Sequence, residues 1–224
     1  VRLLSLTDRR MTLEQTKLLF RPLEKKDHPQ AAALAAGVWR FDQLIADPQA
    51  AALAREAFFR YYLSRQNYTE AALRGGELLG ILFGHCAALP LPPEHSAQEK
   101  AAENAAERLL SMPEGRRFRT AMERNSACEK RLLASFEGEF DAELVLFVTA
   151  PAARGLGIGK ELLARFNQFL VQNGARRPFL LTDTLCNYGF YDHLGFRRLA
   201  ETEGLLGIEP DGKPMRFFLY GYEL

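Results

Sequence analysis

The sequence predicts a mixed α/β fold, a mostly antiparallel central sheet of about seven strands flanked by helices. Three observations carry that expectation. Leu144-Val145-Leu146-Phe147-Val148 is almost continuously apolar, the mark of a strand covered on both faces. Tyr68–Leu73 and Glu77–Cys86 flank Arg74-Gly75-Gly76 in the pattern of a β-hairpin. Beyond the apolar strand, Leu162, Leu163, Phe166, Phe169 and Leu170 recur at helical spacing after a glycine-rich turn.

In chain order, Leu18–Leu23 reads as a first strand with Pro22 near its end. An Ala-rich helix follows Asp27 and Pro29, running to about Trp39. A second helix opens at Asp47-Pro48, an N-cap followed by proline at the first helical position, and continues to about Gln66. The heptapeptide at 29–35 recurs at 48–54; two occurrences without a fixed period are two similar helix starts rather than a repeat architecture. After the hairpin, residues 92–140 are charged and Ala-rich, helical, and broken at Pro113-Glu114-Gly115. Their low apolar density predicts a helical insertion between the third and fourth strands, a lid or cap on a single domain spanning 1–224. Asn173-Gly174 ends the next helix. Phe179–Thr182 is a strand, Asn187–Leu194 a short helix stopped by Gly195, and Phe196–Ala200 and Arg216–Tyr222 are final strands joined through Pro210-Asp211-Gly212-Lys213-Pro214.

Composition narrows the function classes. The 224 residues are 47% hydrophobic and 25% charged, ordinary for a globular protein. With 29 basic against 28 acidic residues the net charge is +1, so no general field drives the chain onto nucleic acid or an anionic membrane. Cys86, Cys128 and Cys186 show no metal-ligand spacing and read as reduced thiols of a cytoplasmic protein; no metal is expected. Val1–Arg10 lacks the apolar core of a signal peptide, and no window approaches the length of a membrane span.

The most informative stretch is Val148-Thr-Ala-Pro-Ala-Ala-Arg154-Gly155-Leu156-Gly157-Ile158-Gly159-Lys160. A buried strand runs into glycines and then directly into an amphipathic helix. Glycine lets backbone approach a ligand, and the first amides of a helix have no partner within it. Those donors and the positive end of the helix dipole favour a phosphate or pyrophosphate, to which Arg154 and Lys160 add charge. Neither common nucleotide loop fits. A P-loop would need glycine and Ser or Thr where Arg154 and Glu161 stand, and Gly155, Gly157 and Gly159 give GxGxG rather than GxGxxG.

Arg154-x-x-Gly157-x-Gly159 resembles instead the pyrophosphate turn, Arg/Gln-x-x-Gly-x-Gly/Ala, of the GNAT superfamily of N-acetyltransferases. Supporting it are the strand ending Leu-Phe-Val-x-x-Pro before it, the helix Lys160–Asn173 after it, and Tyr191-Asp-His-Leu-Gly195-Phe196 downstream, similar to the family's Tyr-x-x-x-Gly-Phe element. Phe20-Arg21-Pro22-Leu23 looks like its first strand. The specific resemblance covers about 144–200.

The resemblance implies transfer of an acetyl group from acetyl-CoA, a cosubstrate, directly to an amine of a small molecule or peptide. It implies that the backbone of Leu146, Phe147 and Val148 pairs with the pantetheine arm, and that Arg154, Gly155, Leu156, Gly157, Ile158, Gly159 and Lys160 hold the diphosphate. Tyr191 stands where the family often places the acid that protonates the departing thiolate; packing beside Phe190 and Phe196 is the alternative. Glu143, opening the coenzyme strand, and Asp183, closing the fifth, are candidates for the base, or else solvated strand-end charges. Relatives commonly carry Asn seven residues before the tyrosine; Thr184 occupies that position here, and Asn187 is the nearest asparagine able to replace it. His193 reads as a surface or packing residue and Cys186 as a small buried thiol. The aromatic run Trp39, Phe41, Phe58, Phe59, Tyr61, Tyr62 lines either an acceptor pocket or the core. A non-catalytic acyl-CoA-binding regulatory module is the competing reading. The insertion is expected to serve as a lid or as a homodimer contact.

Overall fold

The computed structural model describes residues 17–39, 45–207 and 212–224. The readings placed on Val1–Arg10, Phe41 and Pro210-Asp211, and on the Trp39 side chain, lie outside the described residues. Strand β1 (Leu18–Arg21) leads through a short 3-10 turn into α1 (His28–Trp39) and α2 (Pro48–Ser64). The hairpin β2 (Tyr68–Arg74) and β3 (Glu77–Cys86) follows, then α3 (His95–Leu110), α4 (Pro113–Leu133) and β4 (Ala142–Thr149). After the glycine turn come α5 (Ile158–Gln172), β5 (Pro178–Asp183), the short α6 (Gly189–His193), β6 (Arg197–Gly204) and β7 (Met215–Gly221).

The strands form one seven-stranded sheet in the order β1-β2-β3-β4-β5-β7-β6. Every neighbouring pair is antiparallel except β4 and β5. The expected mixed sheet is therefore present, and its parallel step is carried by α5, the crossover helix a parallel pair requires.

Local chemistry sets the boundaries. The Asp47 side chain accepts from the Ala50 amide at 2.8 Å, capping α2, with Pro48 at its first position. Helices α3 and α4 meet at Ser111-Met112, so Pro113 begins α4 rather than interrupting a helix. The strand β1 ends before Pro22, which has no amide to donate. Strand β6 runs to Gly204, beyond the predicted Ala200. It is an edge strand hydrogen-bonded to β7 alone, so its outer positions carry Glu201 and Glu203 in water.

Four apolar clusters locate the layers. On one face α5 lays Ile158, Leu162, Phe166 and Leu170 against Leu79, Leu82, Leu144, Leu180 and Phe218, with Tyr191 of α6 in the same cluster. On the other, α1 and α2 cover Ala71, Ile81, Phe83, Val145, Leu146 and Val148. Helix α3 packs Ala105 and Leu109 against Ala50 and Ala54 of α2. Helix α4 lays Cys128 and Leu132 on Met215, Phe217 and Leu219 of β7. Each large side chain buried this way contributes roughly 1.5–3 kcal/mol.

Gly84 shows how tightly α5 is seated. A Cβ there would stand 2.0 Å from a ring carbon of Phe166, so only glycine lets the helix lie this close to β3. Beside Gly84 the register slips by one residue: Phe83 faces Leu146 and Gly84 faces Leu144, leaving Val145 as a bulge in β4. Among the described residues, no helix is long and apolar enough to cross a membrane.

Candidate functional site

Strands β4 and β5 pair only at Ala142 with Pro178 and Glu143 with Phe179. Both then continue, to Thr149 and Asp183, without pairing again, so the sheet is split between them. Backbone of β4 beyond Glu143, including Leu146, Phe147 and Val148, presents an open edge toward β5. Unpaired strand edge is hydrogen-bonding surface waiting for a partner.

The glycine turn sits at the wide end of this split. Ala150 is tied to the Leu79 carbonyl at 2.8 Å, and Pro151–Ala153 makes one 3-10 turn. Gly155 and Gly157 then take φ values of 76° and 72°, a left-handed conformation costly for other residues. The first helical hydrogen bond of α5 is donated by Glu161 to Gly157. The amides of Ile158, Gly159 and Lys160 therefore precede any intrahelical acceptor. Ile158 is only 1% exposed and anchors the turn in the core. Arg154 and Lys160 are exposed, and neither makes an ion pair among the described residues. An exposed helix front beside two cations has the chemistry to accept a polyanion. Gly159 faces Phe147 and Phe190, whose rings approach each other at 5.7 Å.

Tyr191 lies on the α5 side of the split. Its ring packs against Phe190, Phe196 and Tyr220 at 5.5–5.7 Å. Burial, followed by the neighbouring Cys186, pushes its phenol well above the ordinary range. Tyr191 is 9% exposed, and its hydroxyl, without a hydrogen bond among the described residues, is not sealed from solvent. The Asn187 side chain is exposed; Thr184 is occupied, its hydroxyl accepting from the Arg216 amide at 3.3 Å. Burial pushes the Cys186 thiol up to about 12, so it stays a thiol at neutral pH. His193 is exposed on α6.

Glu143 and Asp183 open on the opposite face. Residues directly across a strand pair share a face. Glu143 stands beside Phe179, and Asp183 beside Phe217; both aromatics pack in the cluster under α4. Glu143 receives Arg65, just past the end of α2, at 3.2 Å, and Arg65 also donates to the Tyr61 hydroxyl at 2.6 Å. Asp183 is 8% exposed and accepts from the Leu185 amide at 2.7 Å, closing the turn after β5; burial nevertheless raises its pKa. The aromatic run divides: Phe59 is core, whereas Tyr61 is exposed beside Arg65.

The sequence reading passed over Glu129. It projects from α4, accepts from Asn125 at 2.8 Å, and has its pKa raised, chiefly by burial; Arg65, Glu143 and Asp183 all act on it. Tyr62, its phenol raised by burial, feels Glu129 next most strongly. His85, beside Glu143 in register, is held neutral by burial. A signal existed. Along α4 the buried positions Phe118, Ala121, Cys128 and Leu132 mark a stripe, and the polar residues Asn125 and Glu129 fall along it. Among the described residues these carboxylates do not gather into a metal-ligand group.

The sequence profile of the Acetyltransferase (GNAT) family matches residues 40–196, more than half of the chain. The chain belongs to this family. The GNAT acetyltransferases are acyltransferases, and the resemblance read from the turn is thus established. Solved structures agree in fold. An N-acetyltransferase from Staphylococcus aureus Mu50 superposes with a TM-score of 0.53 at 14% identity, over 93% of this chain and 99% of its own. The ribosomal-protein-S18-alanine N-acetyltransferase of Escherichia coli gives 0.52 at 12% identity, over 92% and 94%. An agmatine N-acetyltransferase mutant gives 0.55 at 11% identity, over 92% and 99%. No curated protein sequence matches the chain.

Proposed function

We propose that this GNAT protein transfers an acetyl group from acetyl-CoA directly to the amine of a small molecule or peptide. The observation that carries the reading is the divergence of β4 from β5 immediately before a helix whose front is unpaired and flanked by free cations. Arg154 and Lys160, with the amides of Ile158, Gly159 and Lys160, suit a diphosphate. Gly155 and Gly157 let that backbone turn without a side chain in the way, and Leu156 borders it. The open edge at Leu146, Phe147 and Val148 suits the amides of a pantetheine arm, and Asn187 is exposed.

A thioester lying in the split is reachable from both faces. The amine attacks the carbonyl carbon from the α4 side; a C–N bond forms and the C–S bond breaks. Starting from an ammonium, the nitrogen gives up two protons, one to a base before attack and one as the C–N bond forms; the departing sulfur takes up one and the other passes to water. An amine with an ordinary pKa near 10 arrives as an ammonium, so an acidic approach favours its capture. Glu143, Asp183 and Glu129 supply that approach, and a carboxylate or its bound water takes the proton. Glu143 is paired with Arg65 at 3.2 Å, so its charge is shared with a cation already in place. A β4 amide stabilises the developing oxyanion. Tyr191, kept protonated by burial, donates a hydrogen bond to the departing sulfur. The three free cysteines suit a reducing cytoplasm.

The test is thiol release from acetyl-CoA across a panel of mono- and diamines and peptides, with parent protein and Y191F. The reading predicts turnover on at least one amine and a loss of roughly 10²–10⁴-fold in Y191F. Coenzyme binding without turnover on any acceptor makes the chain a regulatory acyl-CoA-binding module instead.

A further inference from the structure

Helix α6 is five residues long, too short to hold its own geometry by internal hydrogen bonding. It nevertheless carries Tyr191. Next to that residue, Asp192 takes a hydrogen bond from the Tyr220 hydroxyl at 2.7 Å and an ion pair from Arg198 at 3.0 Å. The Tyr220 oxygen in turn accepts from Arg198 Nε at 3.0 Å and Nη2 at 2.8 Å. Each of the three groups thus bonds both of the others. Arg198 is fixed from above, its guanidinium 4.3 Å from the centre of the Phe218 ring, with Glu201 at 3.6 Å on its outer side.

Tyr220 is fully buried on β7, and its ring also packs against Tyr191 at 5.7 Å. One rigid side chain therefore touches the face of Tyr191 and, through its hydroxyl, the residue that follows it. We propose that Tyr220, with Arg198, is a positioning residue for Tyr191: it fixes the rotation of α6 and with it the direction of the Tyr191 side chain. This rests on Tyr191 acting in acetyl transfer. Tyr220 touches no reacting atom. Its hydroxyl is consumed by Asp192 and Arg198.

The chemistry gives a clean variant. Tyr220→Phe keeps the ring under Tyr191 and removes only the oxygen joining Asp192 to Arg198. A hydroxyl displaced by about 1 Å from a reacting centre costs up to about 100-fold in rate; a partial loss of hold, with the ring still in place, predicts about 10-fold. The experiment is a double-mutant cycle on acetyl transfer, with kcat and KM for acetyl-CoA measured in the parent, Y191F, Y220F and the double variant. The expected result is a kcat for Y220F about 10-fold below the parent, KM for acetyl-CoA within about twofold, and less than about a twofold further loss when Y220F is added to Y191F. A general structural defect would instead persist in the Y191F background and raise KM as well.

An impaired Y191F with a further tenfold loss on adding Y220F overturns this inference alone. A Y191F protein that turns over at the parent rate removes Tyr191 from the mechanism and this inference with it, while leaving acetyl transfer itself intact. Should Y220F fail to fold, R198K replaces it in the cycle, since lysine keeps the charge but cannot hold Tyr220 with two nitrogens; the same outcomes apply.

Discussion

Arg65, just beyond the end of α2, and Glu143, near the start of β4, lie 3.2 Å apart. The pair neutralises one carboxylate of the α4 face and leaves Glu129 facing the same region with Asn125 as its hydrogen-bond donor. Under the proposed acetyl transfer, Glu129 is therefore a carboxylate open to an incoming ammonium.

Glu129→Gln is accordingly expected to raise KM for the amine acceptor by roughly tenfold, about 1.4 kcal/mol, and to leave acetyl-CoA affinity unchanged. The pH dependence has a definite sign. Burial raises the Glu129 pKa above its usual value near 4.3, and Arg65 opposes that rise while Glu143 and Asp183 reinforce it. Only the ionised form attracts a cation, so acceptor affinity should fall as pH drops through that raised value. Steady-state kinetics on the parent and E129Q from pH 5 to 8 check this; an acid-side loss unchanged in E129Q assigns it to another group.

At the glycine turn, conformation and charge are separable. Gly157→Ala places a Cβ at φ 72°, where no protein atom lies within 4 Å, so its cost is backbone strain of about 1–2 kcal/mol and lost room for a ligand. Arg154→Ala removes charge without strain. Both should weaken coenzyme A binding, by roughly tenfold or more for R154A, but only G157A should also lower the melting temperature. Differential scanning calorimetry beside a binding titration tells them apart.

The Phe166 contact predicts a large stability effect far from any chemistry. Gly84→Ala drives a methyl group into that ring, and overpacking of this kind costs about 1–3 kcal/mol or more. Urea unfolding should show it. A melting curve like the parent's would mean that α5 is not seated against β3 as described.

Asp27 carries an acid-sensitive link. It is hydrogen-bonded by Arg21 at 2.6 Å and by the Glu24 amide at 2.9 Å, which hold its carboxyl below the usual carboxylate range. A depressed folded-state pKa gives stability that is complete above the unfolded value of about 3.9 and disappears as pH falls through the folded value. Asp27→Asn should therefore cost about 1–3 kcal/mol at neutral pH and progressively less below pH 4, read by thermal melts across that range.

Much of the fold was legible because single segments declared themselves. The continuous apolar run of β4 carries the mark of a strand covered on both sides, and Asp47-Pro48 makes an acceptable helix start. The turn was legible because Gly155, Gly157 and the following apolar stripe are local features. What escaped is non-local. Glu129 looked like one more charge on a charged helix; its burial arises because α4 lies across β7. The Arg65–Glu143 pair joins residues 78 apart in sequence. Strand β6 extends past Ala200 because its place at the sheet edge lets Glu201 and Glu203 stand in water.

The amides ahead of α5 are central to the proposed coenzyme site, and calorimetric titration of the folded protein with coenzyme A addresses them most directly. The proposed site predicts saturable, near-stoichiometric binding that weakens in R154A and G157A and with rising salt. A folded parent protein that takes up no coenzyme A would contradict it.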